Sequence, residues 1–505
     1  MESLALLFLF PLSLCLYLYF LYSNFQKKSS KKGFKIYPLV GALPEFLINR
    51  HRFLDWTTEV LQDCPSNTAF FHRPGNVHGI ITASPEIVEH ILKNNFENYP
   101  KGDRSVSILQ DFLGTGIFNS DGEMWRLQRK IASYEFNTKS LRIFIMDSVK
   151  IEISTRLIPL LERASKLNQE LDLQEILERF AFDNICKLAF NVDPCCLGGD
   201  GVAVGEFMKA FEEATTLSAR RFLHAAPFLW KISKFFNIGE EKSLQKSIKI
   251  VHEFADEIIK SRIAKRTENQ NDDLDLLSRF IQNDDSNSPE FLRDIVISFI
   301  LAGRDTTSAA LTWFFWLLSS NPQVERKILN ELESIRARTG KITCDGETFS
   351  FEELKDMNYL QAAISESMRL YPPVPVDTRA CKNEDVFPDG TFIGKNWFVA
   401  YHMYAMGRME RLWGESCCEY LPERWLDDDG VCRQESPFKF PVFNAGPRIC
   451  LGKDMAYIQM KSIAAAVIER FHIDVNSKEK CPEHVLAMTL RMKGGLQIKA
   501  KERCY

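Results

Sequence analysis

The segment FNAGPRICLG, residues 443–452, places a cysteine in a loop with two glycines, a proline and an arginine. A stretch with helical apolar spacing follows, so Cys450 lies just before a helix N-terminus, where the dipole and free N–H groups stabilise a thiolate. Gly446 and Gly452 allow backbone conformations or close approaches that a side chain would block, and Arg448 is placed to pair with a carboxylate. A flat cofactor suits this loop, although the loop alone also fits a buried structural cysteine.

A second chemically active segment lies in the middle of an apolar stretch. Residues 290–319 have the spacing of one long helix, and the run AGRDTT at 302–307 interrupts it. Burying Asp305 and Thr306 there is unfavourable unless they have partners or a task, and a hydroxyl can bond its own backbone and distort the helix. A second transmembrane span is the competing interpretation, but the Arg-Asp pair at its centre disfavours it.

Charged residues recur in four shorter patterns. Glu366-Ser367-Met368-Arg369 sets an acid and a base one helical turn apart, although such pairs are also common on helix surfaces. The other patterns are Pro422-Glu423-Arg424-Trp425, EMWRLQRK with Trp125 and Arg129, and PVPVDTRAC with Arg379. A plain surface position is the competing interpretation for each arginine.

Together these patterns resemble those of the cytochromes P-450. The loop at 443–452 resembles the heme-thiolate loop at every fixed position, and AGRDTT resembles the oxygen-activating segment of the family's long central helix. The remaining patterns resemble its ExxR, PERF and WxxxR motifs, in the expected order and over essentially the whole chain. The resemblance implies the cytochrome P-450 fold, mainly α with a small β region.

The resemblance also implies roles for individual residues. Cys450 would be the axial thiolate ligand of heme b iron, a ligand whose electron density favours O–O cleavage. Asp305 and Thr306 would open a groove for O2 and relay protons through Thr306. The residues expected around the heme are Trp125, Arg129, Arg379, Phe443, Gly446, Arg448 and Gly452, and those expected to support the thiolate loop as a buried network are Glu366, Arg369 and Arg424.

Composition excludes some function classes. The 505 residues carry a net charge of −4, which gives no support for nucleic-acid binding. The 13 cysteines are scattered and form no CxxC, so neither a zinc ribbon nor a disulfide framework is expected, and a reducing compartment fits best.

The N-terminus predicts a membrane anchor. Residues 4–22 form an uncharged apolar run, and about 20 such residues span a bilayer. A cleaved signal peptide is disfavoured by Glu2 and by the lack of a small-x-small site, while the lysines of QKKSSKKGFK suit a cytoplasmic flank. We expect one transmembrane helix in an anchor at 1–25, a basic, proline-containing hinge at 26–45 and a single heme-binding catalytic domain at 46–505. The expected location is the endoplasmic reticulum membrane, single-pass, with the catalytic domain facing the cytosol.

The chain shows no nucleotide-binding domain of its own. GGDGVAVG at 198–205 contains GxGxxxG, but no convincing strand precedes it and no βαβ unit surrounds it. By resemblance, electrons come from NADPH only through a partner, NADPH–cytochrome P-450 reductase, and the other reactants are O2 and a lipophilic small molecule. We predict that Lys130, Lys439 and Lys453 contribute to the docking face for the reductase.

Three stretches resemble a narrower plant branch that hydroxylates chain termini: RFAFDNICKLAFNVDP, DIVISFILAGRDTTSAALTWFFWLL and YHMYAMGRMERLWGE. A long-chain fatty acid is the expected substrate, with Arg220 or Arg221 as a cation for its carboxylate, unless these arginines form a solvated face. The alternatives are terminal hydroxylation of a sterol side chain or of a jasmonoyl-amino acid, and further oxidation to the aldehyde or acid stays open. A heme-thiolate isomerase or dehydratase and a non-catalytic heme protein are remoter alternatives, because this chain keeps both the cysteine loop and the acid-threonine pair.

Overall fold

The computed structural model describes residues 33–503 except 76, 137–138, 199–201, 225–228, 269–274, 284–287, 342–346 and 477–480. The predicted anchor at 1–25 and residues 26–32 of the hinge lie outside these ranges. Among the described residues, no helix combines the length and the apolar character that crossing a bilayer requires.

Helices make up most of the described chain. The α-helices are α1 (Leu43–Ile48), α2 (Phe53–Asp63), α3 (Pro85–Glu89), α4 (Gly102–Leu113), α5 (Gly122–Phe136), α6 (Lys139–Glu152), α7 (Ile158–Leu167), α8 (Leu173–Phe190), α9 (Val202–Arg220), α10 (Leu229–Phe235), α11 (Glu240–Glu268), α12 (Leu276–Asn283), α13 (Pro289–Ile300), α14 (Thr306–Ser319), α15 (Pro322–Thr339), α16 (Phe351–Asp356), α17 (Asn358–Leu370), α18 (Met403–Met406), α19 (Glu410–Trp413) and α20 (Lys453–Arg470). Shorter π-helical turns are His90–Asn94, Ile153–Leu157 and Leu301–Asp305, and 3₁₀ turns are Arg50–Arg52, Phe96–Asn98, Arg221–Leu223, Pro422–Trp425, Pro441–Phe443 and Gly446–Arg448.

The strands form small sheets. They are β1 (Thr68–Arg73), β2 (Val77–Thr82), β3 (Leu171–Asp172), β4 (Asp377–Ala380), β5 (Asp385–Val386), β6 (Phe392–Ile393), β7 (Phe398–Tyr401), β8 (Phe471–Val475), β9 (His484–Leu486), β10 (Leu490–Met492) and β11 (Gln497–Glu502). The largest sheet has the order β1-β2-β7-β4, in which β2 and β7 are parallel and the other neighbours are antiparallel. Its register pairs Arg379 of β4 with Val399 of β7, and both residues are buried.

The core surrounds α14, which is buried from Thr307 to Leu318 on every face. A helix that is apolar all round belongs either in a core or in a membrane, and here α14 packs against α8 and α17. The indole nitrogen of Trp313 donates to the Leu490 carbonyl over 2.7 Å, so even its polar edge has a protein partner. These contacts exclude a second membrane span at 290–319.

Local sequence signals agree with the observed elements. Ser84 caps α3 by accepting a hydrogen bond from the Ile87 N–H, and Pro85 occupies the first helical position, as its type predicts. The last predicted helix, 453–471, is observed as α20. The expectation of a mainly α chain with a small β content is confirmed.

Candidate active site

The loop before α20 is held in shape by its own backbone. The N–H of Cys450 donates to the Phe443 carbonyl over 2.8 Å, which closes the loop. Gly446 has a φ of +61°, and a Cβ there would lie 1.9 Å from the Leu92 carbonyl oxygen, so no other residue fits without moving the backbone. The loop therefore presents Cys450 at one fixed place.

The surroundings of Cys450 act on the charge of its sulfur in two opposite directions. Its side chain is accessible, yet the dense protein around it raises the pKa of the thiol by burial, and the Gly452 N–H and the positive charges of Arg129 and Lys453 oppose that rise. Arg129 also donates to the carbonyl of Ile449, next to the cysteine. A thiolate here has a hydrogen-bond donor and two nearby cations, as a metal-ligating cysteine requires.

Arg448 is anchored on the neighbouring segment before and within α5. Its Nη2 donates to Asp121 over 2.6 Å and to the Ser120 carbonyl over 3.0 Å. Its guanidinium carbon lies 4.3 Å from the ring centroid of Trp125, which is itself buried. The two predicted residues Trp125 and Arg448 are thus in direct contact.

Arg379 belongs to a second anchored group beside Arg448. It donates through Nη1 to Asp377 over 2.9 Å, and Asp377 also accepts from Lys101 over 2.8 Å and from the Tyr401 hydroxyl over 2.6 Å. Burial and then the charge of Arg379 lower the pKa of Lys101 to about 8 and that of Arg448 to about 10. These cations are close enough to repel one another, so an additional anion would stabilise them.

The residues around Cys450 fit a heme. Nε and Nη2 of Arg379 and Nε of Arg448 are buried and have no hydrogen-bond acceptor, which is unfavourable unless another group provides one. The two propionates of heme b are acceptors of the right charge for these guanidinium groups. A Cβ on Gly452 would lie 3.9 Å from the Cys450 sulfur and would fill space on that side of the thiol.

The junction between α13 and α14 contains a local distortion. The π-helical turn Leu301–Asp305 joins α13 and α14, and the Thr306 hydroxyl donates to the Ala302 carbonyl over 2.6 Å. A Cβ at Gly303 would lie 2.5 Å from Ile185, so glycine permits the close approach of α8. Such π-turns are frequent at functional sites. The predicted backbone hydrogen bond and the predicted distortion are both confirmed.

Asp305 lies in a buried group of charges. Arg304 approaches Glu178 and Asp305 to 3.3 Å each, and Arg491 pairs with Glu178 over 2.7 Å and with Glu212. Burial raises the pKa of Asp305 and of Glu178, and Arg304 opposes the rise at both carboxyl groups. Because two guanidinium groups face three carboxyl groups, one of the buried acids can retain a proton.

Glu366 gathers donors from two parts of the chain. It accepts from Arg369 over 2.7 Å and 2.8 Å, from Arg424 over 3.3 Å, from the Trp425 indole over 2.8 Å and from the Leu421 N–H over 3.1 Å. Glu366 and Arg369 are among the most deeply buried residues of the described chain. The three residues predicted to support the loop are therefore in one network.

The remaining N–H groups of Arg369 donate to backbone carbonyls. It donates to Gly407, to Cys417 over 2.6 Å and to Glu419 over 3.1 Å. A buried charge that satisfies this many acceptors is structural, because none of its donors is left for a substrate.

The prediction that Arg220 or Arg221 is a free cation is wrong for Arg221. Arg221 is buried and donates to Glu241 over 2.6 Å and 2.9 Å and to Asp111 over 2.7 Å, so its charge is already matched. Arg220 pairs at the surface with Glu240 over 2.6 Å. Neither residue offers an unmatched charge to a substrate.

Sequence reasoning missed Lys101 and Glu178. Lys101 lies between a proline and a glycine just before α4, and Glu178 lies inside the buried helix α8. No local pattern distinguishes either residue from a surface charge. At the GxGxxxG segment, the described residues 191–198 form no strand before α9.

Comparisons with known proteins agree with this site. A family model described as Cytochrome P-450 matches residues 32–500. Cytochrome P-450 CYP94D108 of Paris polyphylla is 53% identical over 464 residues, which cover 92% of this chain and 91% of the relative. Cytochrome P-450 94A2 of Vicia sativa is 46% identical over 478 residues, with coverages of 93% and 91%, and cytochrome P-450 94C1 of Arabidopsis thaliana is 47% identical over 452 residues, with coverages of 89% and 89%. The chain therefore belongs to the cytochrome P-450 family and is a heme-thiolate monooxygenase.

Proposed function

We propose that this monooxygenase inserts one oxygen atom from O2 into the terminal C–H bond of a long-chain fatty acid. The support for the chain terminus is the resemblance of three stretches to the plant terminal-hydroxylase branch, together with 43–53% identity to plant relatives of the 94 series. The observation that carries the oxygen chemistry is the π-helical turn beside Asp305 and Thr306, in a chain that also presents Cys450 in a cationic loop.

Each residue of the site has a defined task in this reaction. When bound at Cys450, heme supplies the iron centre at which O2 is activated. Thr306 holds a hydroxyl proton at the π-helical turn, fixed by its hydrogen bond to Ala302. Asp305 is a buried acid next to it, and Arg304 orients the carboxyl group. Arg379 and Arg448 would hold the two propionates and thereby orient the flat cofactor.

Terminal attack places a demand on substrate positioning. Primary C–H bonds are the strongest in an alkyl chain, so the enzyme must hold weaker positions away from the reactive centre. Fixing the far end of the substrate is one way to do this, because remote binding energy then sets which carbon reaches the site. A carboxylate is the strongest handle a fatty acid offers for such positioning.

Electrons are proposed to come from NADPH through NADPH–cytochrome P-450 reductase. The predicted docking lysines differ in their availability: Lys130 is exposed, Lys439 pairs with Glu435 over 3.2 Å, and Lys453 contacts Gln434 over 3.3 Å. Lys130 is therefore the best residue for a charge-reversal test. Lys130→Glu is expected to raise the apparent KM for the reductase, and an unchanged KM would remove this lysine from the docking face.

Attachment to the endoplasmic reticulum membrane is proposed on two grounds. The first is the apolar run at residues 4–22 with its basic flank. The second is a set of apolar side chains exposed in two described segments, Leu39 and Ile48 near the N-terminus and Phe235 and Phe236 at the end of α10. Large apolar side chains exposed in this way are suited to contact with the lipid surface.

A substrate screen tests the proposed function. Membranes containing the full chain and reductase receive NADPH, O2 and, in separate reactions, dodecanoic acid, jasmonoyl-isoleucine or a hydroxysterol, and mass spectrometry locates the inserted oxygen. We expect ω-hydroxydodecanoic acid, and we expect no product with Cys450→Ser. Products hydroxylated only in mid-chain would contradict terminal attack, while turnover of the sterol alone would replace the substrate assignment.

A further inference from the structure

With one exception, each buried arginine in the described chain forms an ion pair with a carboxylate. Eight arginines are buried, and seven of them form ion pairs with aspartate or glutamate: Arg221, Arg262, Arg304, Arg336, Arg369, Arg379 and Arg448. The eighth, Arg73, pairs with no carboxylate anywhere in the described ranges. A buried charge is strongly unfavourable unless it is paired and hydrogen-bonded, so Arg73 lacks the partner that every comparable residue has.

The immediate surroundings of Arg73 are aromatic. Its guanidinium carbon lies 5.0 Å from the ring centroid of Phe46 and 5.9 Å from that of Phe71. Its Nη2 reaches the Phe222 carbonyl at 3.5 Å, a long hydrogen bond, and its Nε is buried without an acceptor. Only 5% of the residue is exposed. These contacts hold the side chain in place without matching its charge.

A second cation without a partner lies nearby. The guanidinium carbon of Arg104 lies 5.2 Å from the ring centroid of Phe398, and that ring packs edge-on against Phe71 at 5.3 Å. The side chain of Arg104 has no hydrogen bond or ion pair with any described residue. Burial and then the charge of Arg104 lower the pKa of Arg73 to about 10. Two guanidinium groups thus lie among aromatic rings, and neither is paired with a carboxylate of any described residue.

This arginine pair adjoins the site already described. Arg104 lies in the first turn of α4, the helix that begins next to Lys101 and its partner Asp377. Arg73 ends β1, and Phe222 belongs to the turn that follows α9. The pair therefore lies between the main sheet, α4 and the end of α9, with half-buried Arg104 as its accessible member.

We propose that Arg73 and Arg104 bind the carboxylate of the substrate and so determine the specificity of the enzyme for carboxylic acids. The inference rests on the proposed function and makes it more specific, because it names the atoms that hold the end of the substrate opposite to the oxidised carbon. Guanidinium groups match carboxylate geometry and retain their charge. A fatty acid and a jasmonoyl-amino acid both carry the required carboxylate, whereas a sterol side chain does not.

The test compares each acid with its methyl ester. Wild type, Arg73→Gln, Arg104→Gln and Arg73→Lys are assayed with dodecanoic acid and methyl dodecanoate, and with jasmonoyl-isoleucine and its methyl ester, for Kd by the heme absorption shift and for product formation. Arg220→Gln is the matched control, because Arg220 is exposed and already paired. The CO spectrum of the reduced protein reports the folded fraction, and Arg104→Gln keeps the test valid where the buried variant folds poorly.

We expect Arg73→Gln and Arg104→Gln to weaken binding of the acid about 10-fold or more, as for a lost charge-assisted hydrogen bond, and to leave ester binding unchanged. Arg73→Lys should recover part of the loss, since it restores the charge without the planar fork. Equal weakening of acid and ester, or no weakening of the acid, would overturn the inference. If the substitutions weaken binding of jasmonoyl-isoleucine but not of its methyl ester, and dodecanoic acid shows no such difference from its ester, the carboxylate site is supported. The substrate is then the jasmonoyl-amino acid rather than the fatty acid. Wild-type turnover of neither acid would overturn both the proposed function and this inference.

Discussion

The Thr306 hydroxyl donates a hydrogen bond to the carbonyl oxygen of Ala302 over 2.6 Å, and this bond lies at the junction between a π-helical turn and α14. Backbone hydrogen bonding by a mid-helix threonine bends or widens a helix. The bond also fixes where the hydroxyl oxygen lies. The position of this one oxygen is therefore set by the backbone rather than by a free rotamer.

Removing the Thr306 hydroxyl is expected to uncouple NADPH consumption from product formation. In Thr306→Ala, the amount of hydroxylated product per NADPH consumed should fall by about 10-fold or more, because a hydroxyl held in place for proton relay is lost. Thr306→Ser should retain most of the coupling. Thr312→Ala is the control, since Thr312 makes the same type of bond to Ser308 over 2.7 Å outside the π-helical turn. Equal coupling in Thr306→Ala and wild type would contradict the proton role.

The Glu366 network is expected to control stability and heme incorporation. Glu366→Gln leaves Arg369 and Arg424 buried without their full counter-charge, which should destabilise the protein by about 3–5 kcal/mol. Urea unfolding and the yield of the thiolate-type CO spectrum measure the effect. Glu352→Gln is the matched control, because Glu352 forms an exposed i,i+3 pair with Lys355 over 2.9 Å, and exposed pairs contribute little. Similar urea unfolding midpoints for Glu366→Gln and Glu352→Gln would refute the structural role of Glu366.

Cys450→Ser should abolish the thiolate-type spectrum of the reduced CO complex together with all hydroxylation. A serine hydroxyl is not deprotonated under these conditions, so it does not supply the thiolate's electron density. Cys418→Ser, which changes an exposed cysteine elsewhere in the described chain, should leave the spectrum intact. A normal spectrum from Cys450→Ser would show that another residue ligates the iron.

His402 predicts a pH dependence of stability. Burial, and then the charge of Arg408, lower the pKa of His402 from 6.5 to about 3. The neutral ring is fully used, because Nδ1 accepts from the Ala405 N–H over 3.0 Å and Nε2 lies 2.7 Å from the Thr57 hydroxyl, which itself donates to the Phe53 carbonyl. Between these pKa values the unfolded chain binds a proton that the folded chain excludes. The stabilising contribution is therefore complete above pH 6.5 and is lost as the pH falls toward 3.

The measurement is urea unfolding of wild type and His402→Asn at several pH values. The asparagine oxygen can still accept from the Ala405 N–H, but it does not titrate. From pH 7 to pH 5, wild type should lose about 2 kcal/mol relative to the variant, from 1.36 kcal/mol per pKa unit. Parallel pH profiles for the two proteins would mean that His402 is protonated in the folded state.

Local signals predicted much of this fold, and long-range contacts account for what they missed. The cap at Ser84, the helix after the cysteine loop and the distortion at Thr306 each depend on residues within about one turn, so the sequence alone predicts them. The burial of Arg221 depends on Asp111, 110 residues away. The contact of Arg73 with Phe222 spans 149 residues. No periodicity contains information at such distances, so the sequence does not predict the surroundings of either arginine.

The Glu366 network has a consequence for the order in which the chain assembles. α17 forms through local contacts, whereas the segment from Gly407 to Trp425 contains only one short helix and one 3₁₀ turn, and it is joined to α17 by hydrogen bonds across 38 to 59 residues. Helices form in about a microsecond or less, but distant contacts must first overcome the entropy of loop closure. We therefore expect α17 to form first and the later segment to pack onto it. Substitutions in this network should therefore lower the yield of protein that binds heme during folding, rather than the turnover rate of the protein that has bound it.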